Sequence, residues 1–104
     1  GRAVSRLVEE LPMPLVISSA LETSFGLDYA ARVACALDQT PRACGLGTAN
    51  LLAADTALTP ALIQDGCMIP SELSLNEALV SEAPADSSLT HSWAERLAEM
   101  AHYQ

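Results

Sequence analysis

The stretch Pro14-Leu-Val-Ile-Ser-Ser-Ala-Leu-Glu-Thr-Ser-Phe-Gly26 decides how this chain folds. Leu15-Val16-Ile17 is apolar without alternation, the pattern of a strand covered on both faces. Ser18 and Ser19 then place two hydroxyls at the strand's carboxyl end, and Thr23, Ser24 and Gly26 supply cap chemistry for a helix starting near Leu27. A buried strand that ends in small hydroxyl residues and feeds a helix is a βα unit. In such units the ligand sits beyond the carboxyl end of the strand.

Downstream, Leu27, Ala30, Ala31, Ala34 and Leu37 mark the buried stripe of a helix, with Asp28 and Arg32 as an i,i+4 pair outside. Gln39-Thr40-Pro41 ends it, and Arg42-Ala43-Cys44 reads as a second short strand closed by Gly45-Leu46-Gly47-Thr48. Thr48 is placed to cap a helix over Ala49–Ala54, which Asp55 and Thr56 terminate. Upstream, Val4, Leu7, Val8 and Leu11 give Arg2–Leu11 a helical period, stopped by Pro12-Met13-Pro14. The order helix, strand, helix, strand, helix with short connections predicts a parallel α/β layout. Two parallel strands alone are both edges and lack cover on two faces, so the chain reads as a slice of a larger barrel or doubly wound sheet. More sequence or another chain must complete it.

Beyond Thr59-Pro60 the pattern weakens. Short apolar pieces at Leu62-Ile63 and 67–70 flank Asp65-Gly66, as in a small irregular hairpin. The stretch from Leu73 to Ala85 is ambiguous and Pro84–Ser88 is a loop. A last helix starts at Ser88 or Thr90 and runs to about His102, its expected buried stripe Trp93, Leu97, Met100 and Ala101.

At 104 residues, half of them hydrophobic, the chain has the size of one domain. Its net charge of −8 is spread over dispersed acids and argues against nucleic acid and anionic membrane as partners. Cys35, Cys44 and Cys67 include no CxxC pair, so reduced, packed thiols are expected rather than disulfides or zinc. No apolar run is long enough to span a bilayer and the first residues show no signal-peptide pattern, which gives a cytoplasmic expectation.

The block Val16-Ile-Ser-Ser-Ala-Leu-Glu-Thr-Ser-Phe-Gly26, with Ala43-Cys-Gly-Leu-Gly-Thr48 and Leu51-Leu-Ala-Ala-Asp55 after it, resembles the o-succinylbenzoate synthase family of the enolase superfamily. The resemblance implies an α/β fold that is the C-terminal fragment of a TIM-type barrel, its last two βα units plus a C-terminal tail. Residues 1–58 would then hold helix 6, strand 7, helix 7, strand 8 and helix 8. Residues 59–104 would be a C-terminal segment packing on the barrel and capping domain. The family reaction is a Mg²⁺-dependent dehydration of a cyclohexadiene carboxylate to o-succinylbenzoate, in menaquinone biosynthesis. A lysine removes the α proton, the metal stabilises the enediolate and a second lysine stands opposite.

This chain has no lysine; its basic residues are Arg2, Arg6, Arg32, Arg42 and Arg96. The family's lysines lie on its second and sixth strands and its acidic metal ligands on the third to fifth. A whole barrel needs about 250 residues. The expectation is therefore that no catalytic residue and no metal ligand lies in this chain, and that Mg²⁺ is bound by parts of the parent absent from it. Substrate-binding groups are expected at Ser18, Ser19, Gly45 and Gly47, for a small-molecule carboxylate. Ser18 matches the family position that holds the succinyl carboxylate; Gly45 would let substrate lie against the backbone. Gly47 and Thr48 would bring a helix N-terminus close to the anion.

Bland readings stand beside these. The two serines could be hydroxyls satisfied within a turn, and Glu22 is expected to bond backbone amides rather than act as acid or base. His91 and His102 read as surface residues. Ser18 with His91 and Asp28 is discounted as a hydrolase triad because no GxSxG elbow surrounds the serine. The alternative function is a non-catalytic α/β interaction domain that needs a partner chain to complete its sheet.

Overall fold

The computed structural model of the chain describes residues 6, 8–11, 13–37 and 42–102. Of the helix expected over Arg2–Leu11, Arg6 and residues 8–10 are helical and Leu11 is not, while 2–5 and 7 lie outside the described residues. The expected stop at Gln39-Thr40-Pro41 also lies outside them.

Helix α1 spans Ser24–Leu37. It begins three residues before the expected Leu27 because the Thr23 carbonyl already accepts the first helical bond, from the Leu27 N–H at 3.0 Å. Ser24, Leu27, Asp28 and Ala31 are buried, one stripe at i, i+3, i+4 and i+7. Leu27 and Ala31 meet Leu46 in a small core, with Ile17, Ala30, Cys44, Ala49 and Met68 packed around it.

The extended segments before and after α1 pair in parallel, as expected, but through a single bridge between Ser18 and Gly45. The Gly45 N–H donates to the Ile17 carbonyl at 2.9 Å, and the Ser19 N–H donates to the Gly45 carbonyl at 2.9 Å. The second strand expected at Arg42–Cys44 therefore pairs one residue later than predicted. After it comes a three-residue 3₁₀ turn, Ala49–Leu51, in place of the expected helix Ala49–Ala54. Leu52 is already extended, and the reason is Asp55, which the chain carries across to the start of α1.

The hairpin expected around Asp65-Gly66 is present as β1 (Ile63–Gln64) and β2 (Cys67–Met68), antiparallel with Ile63 opposite Met68. Asp65 and Gly66 both have positive φ, 51° and 75°, the two-residue turn that Asp-Gly favours. Further on, Ala57 bridges Leu75 antiparallel, with the Asn76 N–H donating to the Thr56 carbonyl at 2.7 Å. Asn76 caps α2 (Glu77–Glu82) by accepting from the Leu79 N–H. Asp86 caps α3 (Ser87–Ala101) by accepting from the Leu89 N–H at 2.8 Å.

Helix α3 corrects one expectation. Trp93, Leu97 and Met100, predicted to be a buried stripe, are 51%, 60% and 61% exposed, and Ala101 is exposed as well. The helix forms from its period and its cap, yet no described residue of the chain covers its apolar face. The radius of gyration, 15.7 Å, exceeds the roughly 13 Å of a compact chain of this length. A second correction concerns the thiols: all three cysteines are free, but Cys35 and Cys67 are exposed and Cys44 alone is half-buried. Residue 35 lies one turn beyond Ala31 on the same face of α1, where its thiol lines an open apolar cavity.

Two carboxylates clasp α1 to the later chain. Asp55 accepts from the Ser24 N–H (3.1 Å to Oδ2), the Ser24 hydroxyl (2.7 Å) and the Ala57 N–H (2.9 Å). The Ser24 hydroxyl in turn accepts from the Ala61 N–H at 2.7 Å. Asp28, expected on the outside, is buried. It accepts from Arg32 Nε at 2.6 Å and from the Ser71 N–H at 2.8 Å, while Arg32 Nη2 donates to the Ser71 carbonyl at 2.8 Å. The i,i+4 pair is thus a clamp on the Ser71 peptide. Burial by itself would raise both acids, but the bonds from Ala57 and Ser24 to Asp55, and from Arg32 and Ser71 to Asp28, outweigh it. Both carboxyls are held below the ordinary 3.8.

A carboxylate depressed in the folded state adds stability above its ordinary pKa, and that contribution is lost as the pH falls below 3.8 and through the lower folded value. Asp55→Ala strands the buried Ser24 hydroxyl and N–H and is expected to cost about 2 kcal/mol. Urea unfolding at pH 7 measures this cost, and the deficit against wild type should shrink when the titration is repeated at pH 3. A deficit independent of pH would mean that the carboxylate's charge is not what holds α1.

Candidate functional site

Side-chain direction along the first extended segment alternates, although its residues do not. Leu15, Ile17 and Ser19 are half-buried toward α1, whereas Val16 and Ser18 are exposed on the opposite side. Val16 is 61% exposed. In a parallel pair the bonded residues are every second one, here Ile17 and Ser19 around Gly45. The backbone groups of Ser18 itself therefore point to the other, open edge.

The structure brings Ser18, Ser19 and Gly45 together and gives them different work. The Ser19 hydroxyl donates to the Gly45 carbonyl at 3.0 Å and lies 2.8 Å from Thr48 Oγ1. It pins the two extended segments and the following turn to each other. Thr48, expected as a helix cap, makes no side-chain cap bond and spends its hydroxyl on Ser19. Ser18 is exposed, and its hydroxyl has a contact of 3.4 Å with the Ser19 carbonyl, at the long end of any hydroxyl bond. That leaves it available to a ligand on the open face.

Gly47 stands apart from these three. A Cβ there would meet Ile63 Cδ1 of the hairpin at 3.6 Å, away from the Ser18 hydroxyl. The helix N-terminus expected after Gly47 is a three-residue 3₁₀ turn, too short to add a useful dipole. An apolar cavity of about 230 Å³ lies on the α1 side of the strand pair, walled by Ile17, Ala34, Leu46 and Met68 among others. All three cysteines line it, whereas Ser18, Ser19 and Gly45 do not.

The loop beyond the serines is held in a specific form. Leu21 has φ 69°, a left-handed conformation uncommon for a bulky residue. The Ala20 N–H donates to Glu22 Oε2 at 2.7 Å, so Glu22 bonds a neighbouring amide as expected. His91 is exposed and 3.3 Å from Glu95, on α3.

Asp55 and Asp28 were missed as organising residues. Asp55 carried a partial signal, since its bond to the Ala57 N–H is the local turn that an Asp two residues earlier favours. Its bond to Ser24 crosses thirty-one positions and has no local signature. As for Mg²⁺, among the described residues no three His, Cys, Asp or Glu side chains converge to hold a metal ion. The side chains at Ser18 and Gly45 offer one hydroxyl and no carboxylate, whereas Mg²⁺ takes carboxylate oxygens. These residues do not fit the metal. Among the described residues, no helix is long and apolar enough to cross a membrane.

The latch is testable by a double-mutant cycle. Ser19→Ala and Thr48→Ala are each expected to lower stability by about 1 kcal/mol, and the pair together by clearly less than the sum. Additive losses in thermal unfolding would show that the two hydroxyls do not act on each other.

No family model matches the chain. Individual proteins do. It is 40% identical over 97 residues to an o-succinylbenzoate synthase of Thermobifida fusca (strain YX), an alignment covering 93% of this chain and 30% of that protein. It is 33% identical over 95 residues to the o-succinylbenzoate synthase of Mycobacterium ulcerans (strain Agy99), covering 91% and 29%. With that of Mycolicibacterium smegmatis (strain ATCC 700084 / mc(2)155) it shares 38% identity over 68 residues, covering 62% and 21%. The chain spans about 30% of the length of the relatives that it matches over most of its own. By sequence, this chain is similar to one part of the o-succinylbenzoate synthases, over about nine-tenths of its own length.

Proposed function

We propose that this chain is the substrate-carboxylate side of an o-succinylbenzoate synthase, a lyase of the enolase superfamily. The observation that carries this reading is the 40% identity to a relative of that name over 93% of the chain. The finer assignment follows the resemblance. Residues 1–58 supply the last two βα units of a TIM-type barrel, and residues 59–104 pack on the barrel and its capping domain. The rest of the barrel covers the open strand edge and the face that bears Val16 and Ser18. Parts of the parent outside this chain supply the lysines and the Mg²⁺ site, where the metal would supply electrophilic stabilisation to the carboxylate beside the carbon that loses its proton. The protein is placed in the cytoplasm, in menaquinone biosynthesis.

Within this chain the work is binding and orientation. The Ser18 hydroxyl donates a charge-assisted bond to the succinyl carboxylate of the substrate. Ser19 is a substrate-side residue that holds Ser18 and Gly45 in register through its own bonds. Gly45 brings the strand pair beside the carboxylate, while Gly47, which faces Ile63 of the hairpin, stays apart from it. The acid and base of the reaction are not among these residues.

The experiment uses the protein that carries this chain, assayed for o-succinylbenzoate formation with Mg²⁺. Turnover that EDTA abolishes is expected. Ser18→Ala should raise KM about tenfold with little change in kcat, because a bond to a remote carboxylate is uniform binding. A protein of these 104 residues alone, without turnover but tightly associated with a second chain, would instead establish the interaction-domain reading.

A further inference from the structure

We propose that Gly45 is a positioning residue for Ser18: its missing side chain gives the Ser18 hydroxyl the space in which it faces the open side of the strand pair. The inference rests on the enzyme reading above and assigns Gly45 a role distinct from making room for substrate. Three observations lead to it. The first is conformational. Glycine is often required where φ is positive, but among the described glycines only Gly66 has a positive φ. Residue 45 adopts backbone angles open to any residue, so flexibility does not explain the glycine.

The second is that Gly45 has no backbone group left for a ligand in this pairing. Its N–H donates to the Ile17 carbonyl, and its carbonyl accepts from both the N–H and the hydroxyl of Ser19. The third is steric and decides the matter. A Cβ on residue 45 would stand 2.8 Å from Ser18 Oγ, 3.4 Å from Ser18 Cβ and 3.7 Å from Ser18 Cα. The hydroxyl alone is in collision; the rest of Ser18 is at tight or ordinary contact. A methyl group at 45 therefore does not break the strand pair. It rotates Ser18 to another staggered position, and the hydroxyl leaves the direction in which it donates to the carboxylate.

The test is a cycle of wild type, Ser18→Ala, Gly45→Ala and the double variant, in the protein that carries this chain. The readouts are KM, kcat and the dissociation constant of o-succinylbenzoate. Each single variant is expected to weaken binding about tenfold, with kcat held within about twofold. The double variant should bind no more weakly than Ser18→Ala, because removing the hydroxyl leaves the new methyl nothing to displace. A loss that multiplies in the double variant, or a Gly45→Ala protein that binds as wild type does, overturns the proposal. Crystal structures give a readout that needs no ligand: Gly45→Ala should move Ser18 Oγ by a full rotamer with the bonds to Ile17 and Ser19 kept. An unmoved Ser18 overturns the proposal too. If Gly45→Ala fails to fold, a double variant that folds still carries the test through its comparison with Ser18→Ala. A wild-type protein that neither binds nor turns over overturns the enzyme reading, while the rotamer measurement still judges Gly45.

Discussion

Two backbone hydrogen bonds, Gly45 N–H to the Ile17 carbonyl and Ser19 N–H to the Gly45 carbonyl, hold the two extended segments that flank α1 side by side. Their consequences reach well beyond two contacts. Because bonded residues alternate in a parallel pair, they send Leu15, Ile17 and Ser19 toward α1 and leave Val16 and Ser18 on the other side. The inner side builds the small core with Leu27, Ala31 and Leu46. The outer side holds the hydroxyl available for binding. One register shift would exchange the two sets, placing an apolar residue at the site and a serine in the core.

What fixes the helix above that pair is polar rather than apolar. Three buried apolar residues form too small a cluster to hold α1, since burying each contributes at most a few kcal/mol. Asp55 and Asp28 supply the missing specification by accepting bonds from peptides far along the chain and from Ser24 and Arg32. Each carboxylate is satisfied several times over, which is why it stays charged in spite of partial burial. Two of the acids behind the net charge of −8 are therefore structural members rather than solvated surface.

Two apolar faces are left bare among the described residues. Val16 on the strand pair and Trp93, Leu97 and Met100 on α3 are residues of the kind that cores are made from, and they are more than half exposed. Arg96 stacks over the Trp93 ring at 4.8 Å, giving it partial shelter. On the enzyme reading proposed above, these are the faces that the rest of the barrel would cover.

The sequence by itself determined the local elements. The period of Leu27, Ala31 and their neighbours specified α1, Asp65-Gly66 specified the hairpin turn, and the Ile-Ser-Ser-Ala-Leu-Glu-Thr-Ser block pointed to the family. These are matters of a few adjacent residues, where dihedral preference and spacing suffice. That two extended runs flanking α1 pair in parallel was legible too, though the paired residue is Gly45, one beyond the expected strand. Only the tertiary structure decided how far the helix after Thr48 runs, because Asp55 is drawn to Ser24 thirty-one residues away. It alone decided that Ser19 is a latch while Ser18 is open, since two adjacent hydroxyls differ only by the face on which a distant partner pairs. It alone placed Asp28 inside and Trp93 outside. Burial belongs to a residue's neighbours in space, and no short stretch of sequence states what those neighbours are.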